Sequence, residues 1–139
     1  MNLRSVLLSG LVAGVIILVS GVSLAHFVLG KEYVDKFVSR LPAEPGVGMM
    51  IEHTMLRLSF GLLAVFVYAG FRPRFGPGPK TALIVAGVLF LTTYVPMTLS
   101  LKSQGVLEGR NLLLATMWSV GEIAIATLVG ARLYREIKR

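Results

Sequence analysis

The stretch Ile51–Phe71, IEHTMLRLSFGLLAVFVYAGF, decides the fold class. From Leu58 to Phe71 it carries no charge, yet Glu52, His53 and Arg57 stand at its start. A helix that crosses a bilayer needs about 20 predominantly apolar residues. Three further runs of that length, free or nearly free of charge, lie on either side of this one. The predicted spans are Val6–Leu29, Met49–Phe71, Thr81–Leu101 and Leu112–Leu133. Only short termini and three connections remain, so residues 1–139 read as one transmembrane domain. Short connections force sequential helices to pack antiparallel. The expected fold is an all-α membrane protein, four helices in an up-down-up-down bundle.

Composition agrees. Of 139 residues 55% are hydrophobic and 15% charged, whereas soluble domains hold about a quarter charged residues. Cysteine is absent, which excludes disulfides, thiolate metal sites and a cysteine nucleophile. The net charge of +7 does not point to nucleic acid, because the bases cluster at span ends. Arg72, Arg74, Lys80, Arg132 and Arg135, with Lys138 and Arg139, sit in the second connection and the C-terminal tail. Bases so placed read as topology signals and lipid-headgroup contacts. The second connection has three bases and no acid, while the first and third mix both signs. Lys- and Arg-rich short loops stay in the cytoplasm, so both termini and the second connection are expected inside. The N-terminal run also resembles a signal peptide, with Arg4 ahead of it and Ser23-Leu24-Ala25 as a cleavage-like site. At about 24 residues it exceeds the usual 7–15 of such a segment and is read as a retained helix.

The first connection can hold a short interfacial helix. Tyr33, Val34, Phe37, Val38 and Leu41 fall at helical spacing, and Pro42 and Pro45 would end it. The second, FRPRFGPGPK, alternates Pro and Gly and is expected not to continue a helix. Small residues let helix backbones approach where lipid offers no hydrophobic drive. Gly10, Gly14, Gly21 and Ala25 mark the first span, and Ala115, Ser119, Ala126 and Gly130 the fourth.

Polar residues inside the spans gather toward the extracytoplasmic half. Helical spacing puts His53, Arg57, Gly61, Ala64 and Tyr68 on one face. Glu122 falls close to the middle of the fourth span, on a face with Ala115, Ser119 and Ala126. An Arg or an acid at a span centre costs about 2.5–3.5 kcal/mol on insertion scales. The expected remedy is a pair between Arg57 and Glu122, or a protonated Glu122 bonded to Ser119, Thr93 or a backbone carbonyl. Glu122, Arg57, His53, Glu52, His26, Thr93 and Ser119 are thus the candidate pocket, whose ionic pair reads equally as a structural lock on helix register. His26 and His53, from adjacent helices at similar depth, are the candidate pair of haem ligands, although two histidines near an interface are more often headgroup or water contacts. Met49, Met50 and Met55 beside His53 offer soft-metal donors, although methionines at a span's start are usually packing. Tyr94 and Trp118 read as packing or interface residues. No hydrolytic motif is present: HExxH and GxSxG are both missing.

With its glycine-rich first span (GLVAGVIILVSG), the tyrosine-containing exit into a basic turn (VYAGFRPRFGPGPKTA) and a last span ending TLVGARLYRE, the chain resembles a family of small bacterial four-span membrane proteins without an assigned activity. The resemblance implies a bacterial plasma-membrane location and carries over no functional residue. Two functions are expected from these features. The first is a non-enzymatic accessory or assembly subunit, packed in the bilayer against a larger membrane complex or against itself. The second is a small proton-linked transporter or lipophilic-ligand carrier that uses Glu122 as its acid and Arg57 as partner or anion clamp. A third is electron transfer with haem or quinone.

Overall fold

The computed structural model describes residues 1–41 and 45–136. Pro42, expected to help stop the first-connection helix, and Lys138 and Arg139 of the basic tail lie outside the described residues. Six α-helical segments, with no strand among the described residues, build four rods. Helix α1 (Leu3–Ser23) runs through a π-helical turn at Leu24–Leu29 into α2 (Gly30–Val38). Helix α3 is Val47–Phe75; α4 (Pro79–Leu89) passes through a second π turn, Phe90–Tyr94, into α5 (Val95–Ser103); α6 is Gly109–Leu133. The four rods are long and apolar enough to cross a membrane. The two shortest have 25 residues each, about 37 Å at 1.5 Å per residue, against a hydrocarbon core of about 30 Å.

The ends of the rods reflect local chemistry. The Asn2 side chain accepts a hydrogen bond from the Ser5 backbone N–H and caps α1. At Gly30 the backbone takes a φ of 77°, which breaks the helical path so that α2 leaves the axis of α1. Helix α3 does not stop at Phe71, as the Pro–Gly composition led us to expect. It continues through Pro73 to Phe75. A proline in the last turn loses a single backbone bond, and the chain reverses only at Gly76 and Gly78, with φ of 80° and 128°. Pro79 then occupies the first position of α4, where its missing N–H has no helical partner to lose. Hydroxyls inside the rods donate to the carbonyl four residues back, as at Thr54, Ser59, Thr92 and Thr116. That satisfies them without a neighbour.

Packing is antiparallel between successive rods. Gly10 of α1 lies against Leu62 of α3 and Gly14 against Leu58, so one index rises as the other falls. Ser20 meets Trp118, and Ser5 meets Arg135, giving the same sense for α1 and α6. Rod α1 packs on α3 and α6, α4 packs on the same two, and α3 touches α6 across the bundle. The tightest place is Gly61, where a Cβ would land on the backbone of Gly14. The core is a column of small and medium side chains, among them Ala13, Ile17, Ala64, Val65, Val85 and Ala126. Large apolar residues such as Leu8, Val15, Phe66 and Ile125 stay exposed on the outside. That inversion suits a chain whose surroundings are themselves apolar.

Candidate functional site

Four rods meet around one carboxylate. Glu122, on the inward face of α6, is 5% exposed. Two donors converge on its Oε1. Arg57 of α3 places Nη1 at 3.3 Å, and the Tyr94 hydroxyl donates at 2.6 Å. The second distance is that of a short, charge-assisted O–H···O⁻ bond, so the tyrosine is the tighter partner. Helix α1 contributes an absence of side chain: a Cβ on Gly21 would stand 2.7 Å from the Arg57 guanidinium carbon. In this pose the guanidinium occupies the space that a side chain at position 21 would need. One turn away the Trp118 indole N–H donates to Ser20 Oγ at 2.8 Å, tying α6 to α1 beside the site.

The aim of Tyr94 comes from a backbone irregularity. Pro96 has no N–H to offer the turn before it, and the helix opens into the π turn at Phe90–Tyr94. One extra residue in a turn rotates the helix beyond it, and such bulges occur often at functional sites. Tyr94 ends buried, with the rings of Phe60 and Phe90 at 6.2 and 6.4 Å. Sequence reasoning treats this tyrosine as packing or interface and misses its role. The available signal is Pro96, just after a polar Thr-Thr-Tyr cluster.

Next to Arg57 and Tyr94 lies a partly open cavity of about 490 Å³, within the range of small-molecule sites. Leu18, Val22 and Ala25 of the first rod wall one side, and Leu56 and Phe60 of α3 another. Met97 and Leu101 come from α5. Helix α2 covers the cavity with Tyr33, Val34, Phe37 and Val38, followed by Leu41, and the Phe37 ring meets His53 edge-on at 6.1 Å. Both π turns border this space: Ala25 and His26 from the first, Thr93 and Tyr94 from the second.

Of the residues singled out from sequence, Arg57, His53, His26 and Thr93 line the cavity. Glu122 sits behind Arg57 and does not line it. Ser119 and Thr93 do not bond Glu122, contrary to the second remedy expected from sequence. Each donates to its own helix, Ser119 to the Ala115 carbonyl and Thr93 to the Leu89 carbonyl, the usual resort of a hydroxyl inside a helix. Glu52 is exposed and stands outside the cavity. Met49 and Met50 line it, while Met55 does not. Among the described residues no three His, Cys, Asp or Glu side chains group as metal ligands would.

The opposite end of the bundle holds a different polar set. Arg72, one of the bases that sequence reads as a topology signal and headgroup contact, turns onto the bundle. Its Nη1 lies 3.1 Å from Glu136 Oε2, near enough for an ion pair though not aligned as a hydrogen bond. Its guanidinium also covers the Tyr134 ring at 5.3 Å and the Tyr68 ring at 6.0 Å. The reason is that α3 continues past Phe71 and carries Arg72 on the same face as Tyr68. Arg74, Lys80, Arg132 and Arg135 remain wholly or partly exposed there.

Comparison with family models, with curated proteins and with solved structures finds no match to this chain.

Proposed function

We propose that the protein is a bacterial plasma-membrane protein that binds a lipophilic ligand in the cavity beneath α2. One observation carries this: an apolar hollow of about 490 Å³ whose polar floor is Arg57 and Tyr94. An apolar body with a few converging polar groups is the usual form of a small-ligand site. Burial of Glu122 behind Arg57 supports ligand carriage over proton-linked transport, since the carboxylate is not presented to the cavity. The accessory-subunit function drew on small-residue faces, and these are occupied within the chain. Gly10 and Gly14 press on α3, and Gly130 presses on Val65 and Ala13.

For orientation the bundle ends themselves give support. Arg4, Arg74, Lys80, Arg132 and Arg135 share one end, with both termini. Glu32, Asp35, Glu52 and Glu108 belong to the other, interspersed with bases. The positive-inside rule then puts the termini in the cytoplasm and the cavity in the extracytoplasmic half. The test is native mass spectrometry of protein released in mild detergent. Wild type should retain a small lipophilic species that Ala25→Phe, which fills the cavity, releases. Retention of a protein partner at fixed stoichiometry, with no small molecule, would establish the accessory subunit instead.

A further inference from the structure

The polar side chains lining the cavity include bases and hydroxyls and, among the described residues, no acid. Arg57 is a cation, His26 and His53 are bases, and Tyr33, Tyr94 and Thr93 carry hydroxyls. Among the described residues no Asp or Glu lines it; Glu32, Asp35 and Glu52 are exposed and are not among its walls. The nearby carboxylate of Glu122 is screened from the space by the guanidinium it pairs with. The Arg57 side chain keeps 26% of its surface exposed against 2% for Glu122. Of the five N–H groups on a guanidinium, one hydrogen bond reaches Glu122, and Gly21 leaves room for the group against α1.

We infer, building on the ligand-binding function proposed for this cavity, that it takes an acidic amphiphile: a single alkyl or acyl chain ending in a carboxylate that Arg57 receives. The chain lies under the apolar face of α2. In a bilayer the tail gains little by moving from one apolar host to another, so the headgroup decides what binds. The incoming carboxylate competes with Glu122 for the same guanidinium. Glu122 tolerates that competition because its shorter bond is to Tyr94, at 2.6 Å against 3.3 Å to Arg57. Tyr94 is thus a positioning residue that holds the resident acid while Arg57 turns toward the ligand.

The experiment offers purified full-length protein three probes of equal chain length, hexadecanoate, hexadecanol and hexadecyltrimethylammonium, and counts bound molecules by native mass spectrometry. Wild type should bind hexadecanoate about tenfold or more above hexadecanol, the effect of a hydrogen bond to a charged group, and the ammonium least. Arg57→Gln should lower hexadecanoate to the level of hexadecanol and leave hexadecanol unchanged. Arg57→Lys, a second variant that keeps the charge, should retain part of the preference. Glu122→Gln should bind hexadecanoate more tightly than wild type, because the competing acid is gone; a purely structural pair gives no such gain. Tyr94→Phe should bind it more weakly. Equal binding of all three probes overturns the headgroup assignment while the ligand-binding function stands. Failure of every probe to bind overturns both. Weaker hexadecanoate binding by a folded Glu122→Gln overturns the competition between the two acids.

Discussion

Removing the two halves of the buried pair should have unequal costs, and the inequality comes from their burial. With Arg57 replaced by Gln, Glu122 is left at 2% side-chain exposure with Tyr94 alone. Breaking a buried pair in this way costs about 3–5 kcal/mol. Replacing Glu122 by Gln leaves the other charge on a side chain that is one-quarter exposed and can lean into the cavity. The penalty is then discounted by screening to about 1–2 kcal/mol, and the Gln carbonyl still accepts from Tyr94. The double variant carries no stranded charge and should lose less than Arg57→Gln alone. A double-mutant cycle measured by reversible unfolding in mixed micelles should therefore show coupling of about 2 kcal/mol. Equal costs for the two single variants, or simple additivity, would refute the placement of Glu122 behind Arg57.

Other perturbations test neighbouring parts of the structure. Tyr94→Phe keeps the ring between Phe60 and Phe90 and removes only the hydroxyl, so stability should drop by about 1.5–3 kcal/mol, the range for hydrogen bonds to charged groups. Thr127 is fully buried and its hydroxyl has no partner among the described residues. Thr127→Val should therefore leave stability unchanged or raise it by about 1 kcal/mol, as read by thermal unfolding. Gly61→Val forces α1 and α3 apart at their closest approach and should destabilise by at least about 1–3 kcal/mol; a well-folded, equally stable variant would contradict the packing described. Because the chain lacks cysteine, single cysteines report topology directly. One at Pro77 should react with an impermeant maleimide only in inverted vesicles, and one at Gln104 only in intact cells.

Much of the architecture is legible in the sequence, because charge-free runs of span length leave little freedom over where the rods lie. The approach of Arg57 to Glu122 is legible for a similar reason: two charges that are costly toward lipid have few places to go. The apolar face of α2 can be read as well, since Tyr33, Val34, Phe37 and Val38 repeat at helical spacing and all line the cavity. What cannot be read from periodicity is phase across a π turn. Counting 3.6 residues per turn along Phe90–Tyr94 drifts out of phase within the turn and beyond it, and Tyr94, its last residue, reads as ordinary packing. Arg72 escapes for another reason. Its partner Glu136 lies far along the chain, beyond the end of α6, and no local spacing links the two. Cavity volume is likewise invisible in sequence, because it depends on how far α2 swings at Gly30.

A density map of the protein in lipid nanodiscs supplied with hexadecanoate bears most directly on the site. Elongated density beneath α2, ending within hydrogen-bond distance of the Arg57 guanidinium while Tyr94 still holds Glu122, is the expected result. A cavity filled by the protein's own α2 side chains, with Arg57 turned outward to the bilayer, would contradict it.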